Sequence, residues 1–100
     1  MVLKEVVQDM ICNAVLLPRV RARLSKQKVF EIILAYAKSV GYSGAASSQA
    51  MSLYIGTYFP SVLNNGRRYY QCVPNPAHWQ EETPLTRKDL YFIKGAKKWS

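Results

Sequence analysis

Two short stretches crowd guanidinium groups together. In "PRVRARLS" Arg19, Arg21 and Arg23 alternate with Val20, Ala22 and Leu24, and in "LNNGRRYYQCV" Arg67 and Arg68 follow an Asn-Gly pair. Each guanidinium is a rigid planar fork of donors that matches phosphate or carboxylate oxygens. Other chemistry has little to work with. The single histidine, His78, and the widely separated Cys12 and Cys72 lack the spacing of a four-ligand zinc site, and buried free thiols are the expectation. Six scattered acidic residues, with no nucleophile motif and no phosphate-binding loop, leave no expected catalytic residue, metal or cofactor. The chain reads as a binder of anionic groups rather than as an enzyme.

The bulk numbers agree. A formal net charge of +8 on 100 residues, with an isoelectric point near 9.7, is the electrostatic footprint expected for a partner bearing phosphates. Hydrophobic residues make up 49% and charged residues 20% of the chain, the composition of one folded domain with a single core. The longest apolar cluster, "VFEIILAYA", is interrupted by charge well short of the roughly 20 residues of a membrane span. The beginning, "MVLKEVVQDM", carries acidic residues where a secretory leader has basic ones, so a cytoplasmic location without a membrane partner is expected.

Periodicity supplies the elements that must position the arginines. Leu3, Val6, Val7, Met10, Ile11 and Ala14 form one apolar stripe, which predicts a helix over residues 3–14. Pro18 closes that region by disfavouring helical geometry in Leu17. The period-two run from Arg19 to Leu24 predicts a strand carrying an arginine comb on one face; on a helix Arg19 and Arg23 would still share a side. Ser25 then caps a core helix over 26–40, built on Val29, Phe30, Ile32, Ile33, Tyr36, Ala37 and Val40, with Gly41 ending it. A third helix is expected from Ser47 to Tyr58, with Ala50, Leu53, Tyr54 and Thr57 on one side and Ser48, Gln49, Ser52 and Gly56 on another. Gly56 favours an early end. Next, "YFPSVL" and "RRYYQCV" flank Asn64-Asn65-Gly66, a hairpin signal because Asn and Gly tolerate the positive φ of tight turns. Pro60 is restricted to a strand end or an unpaired edge. A proline-rich loop covers 74–84. The extension over 85–100 contains "DLYFIKG", readable as a strand or, with Thr86 and Asp89 as a capping box, as a short helix from 87.

In order, these elements are helix, short basic strand, two helices, strand, basic turn and strand. That order resembles the winged helix-turn-helix family over residues 3–73, and implies an α+β fold: a three-helix core with a β-hairpin wing. An alternative register, with Gly56 in a helix-turn-helix turn and a helix opening near Pro60, fits less well because Asn64-Asn65-Gly66 would break it. The resemblance implies that the third helix enters the major groove of duplex DNA, with Ser48, Gln49 and Ser52 toward base edges, while Asn64, Asn65, Arg67 and Arg68 at the wing touch backbone or minor groove. It implies a regulatory or replication-accessory role.

Arg19, Arg21, Arg23 and the tail lysines Lys94, Lys97 and Lys98 are expected to join Arg67 and Arg68 on one accessible side. Of Tyr69 and Tyr70, on opposite strand faces, one is expected in the core; the other, with Tyr69 the candidate, hydrogen-bonds a phosphate or packs under an arginine stem. One feature points elsewhere: no residue between Lys38 and Arg67 is charged, while Tyr42, Tyr54, Tyr58 and Phe59 fall in that window. An uncharged, tyrosine-rich surface fits a homodimer contact or the docking face of a non-enzymatic adaptor or inhibitor. A third reading is RNA binding, with Tyr69 or Tyr70 stacked on unpaired bases.

Overall fold

The computed structural model describes residues 2–77 and 89–93. Helix α1 spans Leu3–Cys12 and buries Leu3, Val6, Val7 and Met10, the stripe its spacing predicts. It stops two residues earlier than the periodicity implies. Ala14 takes a left-handed φ of 55°, and the N–H groups of Ala14 and Val15 reach back to the carbonyls of Ile11 and Met10 at 3.0 and 3.1 Å. That pair of bonds is the usual glycine-type helix stop, here made by an alanine. Strand β1, Leu16–Pro18, follows, so Pro18 ends a strand rather than a helix. The next strand, β2, covers only Ala22–Ser25 and buries Ala22 and Leu24.

Ser25 caps helix α2, Lys26–Ser39, its hydroxyl accepting from the Lys28 amide at 3.2 Å. Val29, Ile32, Ile33 and Ala37 are buried along it. Gly41, at φ 80°, ends it with bonds from Gly41 N–H to Lys38 and from Tyr42 N–H to Ala37. Helix α3 spans Ser48–Gly56, with the Ser47 hydroxyl accepting from Ala50 N–H at 3.1 Å. It stops at Gly56, where the helix penalty of glycine favours an end. Its core face is Met51 and Ile55, continued by Phe59. Leu53, expected to face away from Gln49 and Ser52, lies exposed beside them.

The hairpin forms as its turn chemistry dictates. β3, Ser61–Asn64, and β4, Arg67–Tyr70, pair from Ser61–Tyr70 to Asn64–Arg67. Asn65 and Gly66 take φ of 54° and 77°, the doubly positive geometry of a twist-matched two-residue turn. Pro60 precedes the strand, leaving its carbonyl to accept from Gln71 N–H at 3.0 Å. β5, Cys72–Pro74, returns to pair with β1. β6, Leu90–Phe92, resolves the open reading of "DLYFIKG" as strand, while Thr86 and position 87 lie outside the described residues.

All pairings are antiparallel, and the larger sheet runs β3-β4-β2-β6. Leu24 and Tyr70, neighbours on that sheet, face the helices and join Val7, Met10, Ile32, Ile33, Met51 and Ile55 in one core. Across the helices, Tyr36 OH donates to Asp9 and Asn13 Nδ2 donates to Tyr36 OH, tying α2 to the end of α1. The described residues therefore form an α+β arrangement, with three helices and two antiparallel sheets. No helix among the described residues is long and apolar enough to cross a membrane.

Candidate nucleic-acid interface

The pairing of β4 with β2 swings the hairpin alongside α3, and an open cleft of about 470 Å³ lies between them. Ser48, Gln49 and Ser52 line it from α3, joined by Leu53 and Gly56; Ser61 and Arg68 line it from the hairpin, and Lys26 from the first turn of α2. Arg68 Nη1 donates to Ser61 Oγ at 2.7 Å, which fixes the guanidinium over the cleft. A guanidinium has five N–H donors, so most remain available to an incoming anion. Among the described residues, no carboxylate lines this cleft.

A second cleft of about 420 Å³ adjoins it through Lys26 and Arg68 and adds Ser25, Gln27, Gly66, Arg67 and Asp89. Asp89 also secures the junction, its backbone carbonyl accepting from Ser25 N–H at 2.6 Å. Asn64 and Asn65 are exposed at the hairpin tip.

Lys26 escapes a reading based on arginines, yet its local sequence carries a signal. The first turn of α2 is Lys26-Gln27-Lys28 and holds no acid, although a helix N-terminus favours negative charge. Cations placed there cost helix stability, and the turn is better suited to an anion brought from outside. Lys28 turns inward and lies 3.6 Å from Glu31. Lys26 stays exposed, its Nζ 5.9 Å from the Phe30 ring centre, near the limit of a cation–π contact. Ser61 and Leu53 of the larger cleft, and Ser25, Gln27 and Asp89 of the second, also line the site without being placed there by sequence pattern.

The first arginine run lies elsewhere. Arg19 and Arg21 belong to a turn closed by Ala22 N–H to Arg19 O at 3.2 Å, and only Arg23 is on β2. Arg23 Nη1 donates to the carbonyls of Val20 and Ala22 at 2.7 and 3.0 Å, so its head group is folded back onto its own backbone. Arg23 pairs with Tyr91 of β6, and the Arg19 amide donates to the Gln71 carbonyl. Gln71 lies four residues past Arg67 (71 − 67), about 13 Å along a strand. The expected comb on a strand does not form, because Arg19 and Arg21 lie outside β2, and none of the three arginines lines either cleft. Lys94, Lys97 and Lys98 lie outside the described residues, as does His78.

Tyr69 departs from expectation too. Both Tyr69 and Tyr70 are buried, at 6% and 1% exposure. Tyr70 faces the helices; Tyr69, on the other face, is covered by Tyr91 of β6, edge-on with ring centres 5.0 Å apart. Tyr70, although buried, is also among the residues lining the larger cleft, whereas Tyr69 lines neither cleft. Cys72 is buried and its thiol is pushed up to about 12 by desolvation, while Cys12 is exposed; neither forms a disulfide. Among the described residues no cluster of His, Cys, Asp and Glu could hold a metal ion. Compared with protein-family models, curated proteins and solved structures, the chain matches none.

Proposed function

We propose that this chain binds duplex DNA, in a regulatory or replication-accessory role, through the cleft between α3 and the β3–β4 hairpin. The observation that carries the reading is the convergence, on one open cleft, of the polar side chains of α3 with Arg68 and Lys26, while Arg67 stands in the adjoining one. The strand order supports a winged-helix arrangement. β2 comes before α2 and α3, the hairpin follows them, and β4 pairs between β3 and β2. In that arrangement α3 is the reading helix and the hairpin is the wing. Lys26, Arg67 and Arg68 neutralise phosphates and release counterions, so affinity falls steeply with salt. Arg19, Arg21 and Arg23 line neither cleft and contribute less. A fluorescence titration with duplex DNA across a salt series tests the reading: affinity indifferent to salt would contradict it.

A second reading rests on a different observation. Leu53 and Leu63 are 69% and 66% exposed, and both fall in the uncharged window, with Tyr58 part-exposed nearby in sequence and β3 on the sheet's outer edge. Such a surface fits a second copy or a protein partner. Light scattering after nuclease treatment separates the readings, since only this one requires a stable protein complex without nucleic acid. The RNA reading has less support, since Tyr69 and Tyr70 are only 6% and 1% exposed.

A further inference from the structure

The cleft proposed for DNA has a chemically unusual wall. Gln49, Ser52, Leu53 and Gly56 run along the open side of α3, and the helix has no lysine or arginine. The major-groove edge of guanine presents two acceptors, best met by Arg or Lys; adenine presents an acceptor beside a donor, matched by a side-chain amide, and thymine adds a methyl that takes apolar contact. Gln49 and Leu53 stand one turn apart, at i and i+4, and therefore on the same stripe. Leu53, 69% exposed, adds little to the core, so its place on this stripe calls for another explanation. A Cβ added at Gly56 would meet nothing within 4 Å, so bare backbone faces the cleft there and lets a ligand approach closely.

We infer that Gln49 and Leu53 make this cleft selective for A·T-rich duplex read through the major groove, the Gln49 amide pairing with adenine and the Leu53 side chain covering the thymine methyl. The inference rests on the duplex-binding reading. Its test is separable from that reading because Lys26, Arg67 and Arg68 would meet phosphates, whose chemistry is independent of base composition.

Fluorescence anisotropy at one fixed salt concentration, on the full chain, compares three duplexes of equal length: A·T-rich, G·C-rich, and A·T-rich with uracil in place of thymine. The expected preference for A·T over G·C is about tenfold. Removing the methyl with uracil should cost about fourfold, the worth of one buried methyl-sized group. Leu53→Ala should abolish the thymine–uracil difference and Leu53→Met restore it, while Gln49→Ala lowers the A·T to G·C ratio; circular dichroism checks that each variant is folded. Equal affinity for all three duplexes, with a normal salt dependence, would overturn the base assignment and leave phosphate binding standing. An A·T preference undiminished by uracil and by the Gln49→Ala, Leu53→Ala double variant would place selectivity on other groups, and overturns the inference equally. Absence of binding to any duplex at low salt would overturn the duplex reading and this inference with it.

Discussion

The turn at Arg19–Arg23 and the hairpin arginines Arg67 and Arg68 look alike in sequence and have different fates in the fold. In the first, Arg23 satisfies carbonyls of its own turn, and the neighbouring chain, β5, is a strand of the smaller sheet. In the second, two residues of positive φ set the turn, β4 pairs on both edges, and Ser61 holds Arg68 over a cleft that α3 shares. Charge density alone does not make a site; a rigid support and a facing wall of different chemistry do. The hairpin has both.

The largest effect should come from the side chain that seats the hairpin. Tyr70 is 1% exposed within the core, and Tyr70→Ala should cost about 3–5 kcal/mol, as aromatic truncations in cores do, read from denaturant unfolding. A change near zero would mean that the hairpin is not anchored as described. The turn's support can be loosened without mutation. Pro18 pairs with Cys72, and the amide of Arg19 bonds to Gln71 O. The folded-state pKa of Cys72 is raised from 9.0 to about 12 by burial. A raised folded pKa means that above pH 9 the unfolded chain binds fewer protons than the folded one, so stability is complete below that pH and falls as pH rises toward 12. The slope should approach about 1.4 kcal/mol per pH unit. Tyr36, raised by desolvation and by its bond to Asp9, acts in the same direction, so the difference between the parent chain and Cys72→Ala isolates the thiol.

Smaller effects sharpen the hairpin side. Gly56→Ala has open space for its methyl and should stabilise α3 by about 0.5–1 kcal/mol, measured by thermal melting, while crowding the cleft and weakening duplex binding. Lys26→Glu should split the two properties. It should stabilise the first turn of α2 by about 0.3–1 kcal/mol through the helix dipole, yet weaken binding by reversing a charge in both clefts. If Lys26→Glu left affinity unchanged, Lys26 would have no part in the site.

Much of the scaffold is legible in the residues themselves, because its determinants are local. The stripe of α1, the serine caps of α2 and α3, Gly41 and the Asn65-Gly66 turn each act within a few residues. What stays hidden is non-local. β6 covers Tyr69 from some twenty positions away, so strand alternation around Tyr69 and Tyr70 predicts one exposed ring where there is none. β1 and β5 find each other across most of the chain, which leaves Arg19 and Arg21 in a turn instead of on a strand. On α3, several small and polar residues blur the apolar period, so pattern alone sets Leu53 away from the face that Gln49 and Ser52 share. Lys26 comes to line the clefts only once β2 pairs with β4, although the missing acid in its helical turn is readable.

The decisive measurement compares two double variants in duplex-DNA titrations across a salt series. Replacing Arg67 and Arg68 by alanine should weaken binding strongly and lower the log–log salt slope by about two, one for each phosphate left without its arginine. Replacing Arg19 and Arg21 should lower it by clearly less. Equal weakening by the two double variants, or a slope unchanged by removing Arg67 and Arg68, would contradict the assignment of the binding surface to the cleft between α3 and the hairpin.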